Sequence, residues 1–78
     1  MAQTSSIAAE VAANARAELA RAGKSARAAA LAMGMPPRTF LRRLQNGDFK
    51  ADELIQLATI LGIPLETLMP ARRDEVPA

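Results

Sequence analysis

Three arginines within six residues, Arg38, Arg42 and Arg43, directly follow a proline pair at Pro36 and Pro37. An arginine guanidinium stays charged at every relevant pH, and its planar fork can bond the edge of a guanine or grip a phosphate. Proline suits the first position of a helix, because its fixed φ is helical and its missing N–H would have no partner there. The segment therefore predicts a helix that begins at Pro37 and carries cations from its first turn.

The residue types that most enzymes use for nucleophilic and acid–base chemistry are scarce. The chain has no Cys and no His, which excludes thiolate or imidazole zinc sites and Ser-His or Cys-His nucleophiles. Its adjacent carboxylates are Asp52-Glu53 and Asp74-Glu75, and the first pair falls at a predicted helix start, where negative charge is favourable. We expect no enzyme and no site for a metal, cofactor or small-molecule ligand.

Charge is unevenly distributed along the 78 residues. Residues 16–50 hold eight Lys and Arg against two acids, a net +6, whereas residues 51–78 hold two against five, a net −3. A basic block of this kind favours a polyanionic partner. No run approaches the roughly 20 apolar residues of a membrane span, so we expect a cytoplasmic protein that does not bind membranes.

Apolar spacing and turn residues predict an all-α fold of five helices in one domain, residues 1–70, followed by a flexible tail at 71–78. Half of the residues are apolar but only two are aromatic, which suits closely packed helices better than a sheet. The predicted helices run from about 6 to 22, from the cap Ser25 to Met33, from 37 to 46, from after Lys50 to Gly62, and from Leu65 to Met69.

Helical periodicity also predicts which side chains face the core. On the third helix the apolar side chains should gather on one side and the polar ones, Arg38, Thr39, Arg42 and Asn46, on the other. The predicted inward residues are Ile7, Val11, Ala15, Leu19 and Ala22 on the first helix, Ala29, Ala30 and Met33 on the second, Phe40, Leu41 and Leu44 on the third, and Leu54, Leu57, Ala58 and Leu61 on the fourth.

Two short helices joined by a Gly-containing turn, the second rich in arginine, form the helix-turn-helix arrangement by which proteins enter the major groove of DNA. We expect Arg38, Thr39 and Arg42 to contact bases, with Thr39 meeting a thymine methyl or a phosphate. The remaining basic and helix-start residues are expected at the DNA backbone. These are Lys24, Ser25, Arg27, Pro37, Arg43 and Lys50.

The sequence resembles the Cro and phage-repressor type of helix-turn-helix protein, the XRE family, over about residues 7–69. The likeness rests on the run GKSARAAALAMGMPPRTFLRRLQNG followed by DELIQLATILGIPLETL. It implies a five-helix, lambda-repressor-like domain that binds an operator in double-stranded DNA, often as a dimer. The chain differs from the family's common pattern at Ala26, where Gln is frequent, and in one additional residue before Gly47.

The predicted function is a sequence-specific transcriptional regulator, such as an actinophage Cro or immunity repressor. Three apolar residues that a simple monomer does not explain, Leu31, Ile55 and Ile60, are candidates for self-association. Two alternatives stay open. The arginines can belong to an ordinary solvated helix face, and the same scaffold can serve as a protein-binding adaptor or antitoxin-like module.

Overall fold

The computed structural model describes residues 6–70, and all regular structure within this range is helical. The all-α prediction is confirmed for these residues, while the predicted tail at 71–78 lies outside them. Among the described helices, none is long and apolar enough to cross a membrane. The elements are α1 (Ser6–Arg21), α2 (Ala26–Met33), α3 (Pro37–Asn46), α4 (Ala51–Leu61) and a 3₁₀ turn (Leu65–Thr67).

The expected fifth α helix at Leu65–Met69 is instead a single 3₁₀ turn, so the predicted number of α helices was wrong. Pro64 and Pro70 stand on either side of this segment, and a proline has no N–H to donate to a helix. The three N–H groups that follow Glu66 each bond the carbonyl three residues back, at 2.9–3.1 Å. Five residues between two prolines are too few for α-helical hydrogen bonds to offset the entropy of ordering the chain.

The inward stripe of α1 consists of Val11, Ala12, Ala15 and Leu19, which are all buried. The expectation for Ile7 was wrong, since its side chain is 68% exposed. With about 100° of rotation per residue, Ile7 lies to one side of this stripe. Ala22 has the right phase but is exposed, because α1 ends one residue before it.

Both ends of α2 are capped, and the cap at its C-terminal end forms the turn to α3. The hydroxyl of Ser25 accepts a hydrogen bond from the amide of Ala28 at 3.0 Å. Gly34 adopts a left-handed φ of 71°, and the amide of Met35 bonds the carbonyl of Ala30 at 2.9 Å, the pairing that closes a Schellman motif. The predicted bounds of the second and third helices are confirmed. These caps fix the second helix, and Pro37 fixes the start of the third.

The core anchors α3 on its inner side through Phe40 and Leu44, as predicted. Phe40 is completely buried together with Leu57 of α4 and Leu68. The rings of Phe40 and Phe49 meet edge to face, with their centroids 5.9 Å apart, a favourable arrangement for two aromatic quadrupoles. The outer side of α3 is therefore available for contacts while the inner side is fixed against the core by packing.

Gly47, the residue after α3, lies directly against the backbone of α1. It has a φ of 75°, and a Cβ built at this position would overlap the backbone carbonyl of Ala8. The same construction at Gly34 meets no atom within 4 Å. The C-terminal end of α3 is thus fixed against α1 by a contact between two backbones that only glycine permits.

Polar side chains of α1 also bond the backbone of later elements. The Nδ2 of Asn14 donates to the carbonyls of Leu68 and Met69 at 3.2 and 3.1 Å. The Nη1 of Arg16 donates to the carbonyl of Leu44 at 2.6 Å, which satisfies an acceptor in the last turn of α3. Through these bonds α1 holds both α3 and the end of the described chain.

Candidate nucleic-acid interface

The outward side of α3 is a row of four exposed side chains: Arg38, Leu41, Arg42 and Gln45. Their spacing of i, i+3, i+4 and i+7 places them on one side of a helix, within an arc of about 100°. The buried Phe40 lies on the other side. We call these four residues the α3 row.

Arg38 and Arg42 are the two cations of the α3 row. Both are exposed, and within residues 7–70 neither forms an ion pair or a side-chain hydrogen bond. An exposed guanidinium without an internal partner keeps all five N–H donors available to a ligand. The two arginines expected at the bases therefore stand one turn apart, on the exposed side of α3, with their donors free of these contacts.

Leu41 was expected on the buried side of α3, and that expectation was wrong. Its side chain is 50% exposed. The reason is geometric: Leu41 follows the buried Phe40 by about 100° of rotation, whereas Leu44 returns to within about 40° of it. The row Arg38-Leu41-Arg42-Gln45 is visible in the sequence once Phe40 and Leu44 alone are taken as the anchors.

Thr39 and Pro37 lie at the margins of this exposed side, and both are half-buried. Thr39 is about 60° around the helix from Arg42. Asn46, in the last position of α3, is exposed. Thr39 is thus less exposed than the residues of the α3 row, although its position allows a contact at the edge of a DNA groove.

Arg43 was expected at the DNA backbone, but its guanidinium is held within the protein. Its Nη2 donates to Oε2 of Glu53 at 3.2 Å, and its Nε lies 3.0 Å from Oε1 of the same carboxylate. Its Nη1 is 3.8 Å from Oδ2 of Asp48. Only 17% of the Arg43 side chain is exposed. Arg43 therefore links α3 to α4 and does not offer a free guanidinium for a phosphate contact.

Glu53 also caps the helix in which it lies, a role that the sequence suggested only as complementation of the helix dipole. Its Oε1 accepts from the amide of Lys50 at 2.9 Å. This is one half of a capping box; a lysine side chain has no acceptor, so it cannot supply the other half. The start of α4 is therefore joined to α3 by the same carboxylate that caps it.

The other basic residues expected at the DNA backbone remain available. Arg27 and Lys50 are exposed and Lys24 is half-buried, and none of the three pairs with an acid in the described part of the chain. The hydroxyl of Ser25 accepts the cap bond from Ala28, which leaves its own O–H free to donate. The first amides of α2 have no acceptor within the helix, as at any helix N-terminus.

Two of the three residues considered for self-association are exposed. Leu31 on α2 is 64% exposed and Ile55 on α4 is 54% exposed. Ile60 was also expected to be exposed and available for self-association, but it is partly buried against the core.

No metal-binding group of three Asp, Glu, Cys or His side chains occurs between residues 7 and 70. Comparison with known proteins gave no match to a family model, to a curated protein or to a solved structure. What α3 can bind therefore has to follow from the chemistry of its own exposed side chains.

Proposed function

We propose that this chain is a sequence-specific, double-stranded-DNA-binding regulator of transcription, of the Cro or immunity-repressor type. The observation that carries the proposal is the exposed pair Arg38 and Arg42 on α3, unpaired within the described residues. This pair follows a capped α2 and a tight Gly34 turn, the arrangement that helix-turn-helix proteins use. The lambda-repressor-like architecture is part of the same proposal.

In this function α3 enters the major groove with the α3 row facing the bases. Arg38 and Arg42 each bond O6 and N7 of a guanine through the guanidinium fork, the most common specific contact in the major groove. Thr39, at the edge of the row, meets a thymine methyl or a phosphate. Phe40 and Leu44 keep the helix attached to the core while its other side is in the groove.

Phosphate contacts fix the position of α3 along the duplex. Lys24, Ser25 and Arg27 at the start of α2 supply charge, a hydroxyl and free amides. Pro37 packs against the sugar–phosphate chain, and Lys50 contacts it from the far side of α3. Bound at a promoter, the protein represses transcription by excluding polymerase.

A selection of bound duplexes from random DNA tests the proposal directly. We expect an enriched site that contains guanines, and an affinity that falls with salt at a log–log slope of about −0.9 for each phosphate contact. The proposal would be contradicted if no site were enriched, or if the affinity for duplex DNA did not change with salt concentration.

The symmetry of the selected site decides whether a homodimer binds. A palindrome with half-sites about one helical turn apart requires two copies, with Leu31 and Ile55 as the exposed apolar residues available for self-association. A single half-site requires one copy. The alternative of a protein-binding adaptor would use exposed apolar side chains such as these two, and it predicts binding that salt barely changes.

A further inference from the structure

Leu41 is an exposed apolar side chain at one edge of the otherwise polar α3 row. It is 50% exposed, with Arg38 one turn before it and Gln45 one turn after it on the same side, while Arg42 lies about 100° around the helix. Phe40 and Leu44 are the buried anchors of α3, and the exposed half of Leu41 takes no part in that packing. The exposed half of this side chain is therefore open to whatever the α3 row binds.

Charge identifies what this surface binds. The two arginines next to Leu41 pair with no acid of the described chain, and the α3 row contains no carboxylate. A purely apolar partner would leave both guanidinium groups buried and unpaired, which is costly. A duplex supplies acceptors for both arginines and one kind of apolar group, the C5 methyl of thymine, in the same groove.

We propose, on the basis of the function above, that Leu41 contacts the C5 methyl of a thymine and so makes thymine part of the preferred site. Leucine has no donor or acceptor, so it cannot distinguish the polar groups that the four base pairs present. It can distinguish the base pairs only by whether they present a methyl group that the leucine can bury. The site therefore contains thymine beside the guanines that Arg38 and Arg42 contact.

Replacing thymine by deoxyuridine in the selected duplex tests this contact. The replacement deletes the methyl and keeps every hydrogen-bonding group of the base. Burial of one methyl against Leu41 predicts that the wild-type affinity falls about three- to tenfold at one thymine in each half-site, and little at the other thymines.

The variant Leu41→Ala should bind the thymine site more weakly than the wild type and should not respond to deoxyuridine at that position. Gln45→Ala is the matched control: it lies in the same row, and it should keep the full deoxyuridine response. Alanine is the best helix former, so a circular dichroism spectrum should show α3 intact in both variants.

The possible failures are distinguishable. If no duplex is enriched, the DNA-binding function and the role of Leu41 are both overturned. If a site is bound but the wild type is indifferent to deoxyuridine at every thymine, only the role of Leu41 is overturned. The same holds if Leu41→Ala retains the wild-type response.

Discussion

Arg43 and Glu53 join the last turn of α3 to the first turn of α4 through a hydrogen bond of 3.2 Å between Nη2 and Oε2 and a 3.0 Å approach of Nε to Oε1. Both side chains are largely buried, at 17% and 14% exposure. The bond sets the angle between a helix that presents arginines and a helix that belongs to the core. It also leaves one arginine of the cluster without a free guanidinium.

Substitution of Glu53 should therefore destabilise the fold. Glu53→Ala removes the cap on the Lys50 amide and leaves the Arg43 guanidinium without its main partner, so we expect a loss of about 1–3 kcal/mol in the free energy of unfolding. Glu53→Gln keeps the cap bond and should cost less. Urea denaturation measures both, with the exposed neighbour Asp52→Ala as the control. Equal effects at positions 52 and 53 would contradict the structural role of Glu53.

Gly47→Ala should be the most damaging glycine substitution. The left-handed φ of 75° alone costs an alanine about 1–2 kcal/mol, and here the new methyl would also overlap the Ala8 carbonyl, adding about 1–3 kcal/mol of strain. Gly34→Ala has a similar φ of 71° but meets open space, so it should cost only the first amount. Thermal unfolding compares the two variants, and a Gly34 variant as unstable as the Gly47 variant would argue against the close approach.

Arg38 and Arg42 should determine base preference. Each alanine variant should lose about 1–3 kcal/mol of binding free energy at the selected site and relax the preference at one base pair. The lysine variants are the matched controls: they keep the charge but lose the bidentate fork, so their preference should relax while the salt dependence stays. Titrations with the selected duplex and its single-base variants measure this. If both alanine variants bound the selected site as tightly as the wild type, α3 would not be the base-contacting helix.

Lys50 should contribute affinity without preference. Its exposed ammonium pairs with no acid of residues 7–70. Lys50→Ala should weaken selected and unrelated duplexes by the same factor and reduce the log–log salt slope by about 1. Fluorescence anisotropy over a range of salt concentrations gives both quantities. A weakening confined to the selected duplex would mean that Lys50 contacts a base.

Local signals allowed most of the fold to be predicted from the sequence. The cap Ser25, the left-handed Gly34 and the helix-starting Pro37 each act within a few residues, and the bounds of α2 and α3 matched the prediction. The last element could not be predicted equally well. Its five residues between two prolines show the apolar spacing of an α helix, but the segment is too short to form one.

The candidate site was predicted less completely, for a different physical reason. The positions of Arg38 and Arg42 follow from helical rotation alone. The fate of Arg43 depends on a carboxylate ten residues later, Glu53, and nothing in the spacing of charges specifies that pair. The exposure of Leu41 follows from its angle of about 100° from Phe40, which outweighs its apolar residue type.

The backbone contact between Gly47 and Ala8 has a consequence for how such a protein can change over evolutionary time. The direction of α3 is set by this contact, by Phe40 and Leu44, and by the Arg43–Glu53 pair. No member of the α3 row takes part. Mutations in the row can therefore accumulate without tilting the helix or weakening the fold. On the proposed function, a lineage that carries this scaffold can acquire a new target by exchanging four surface side chains.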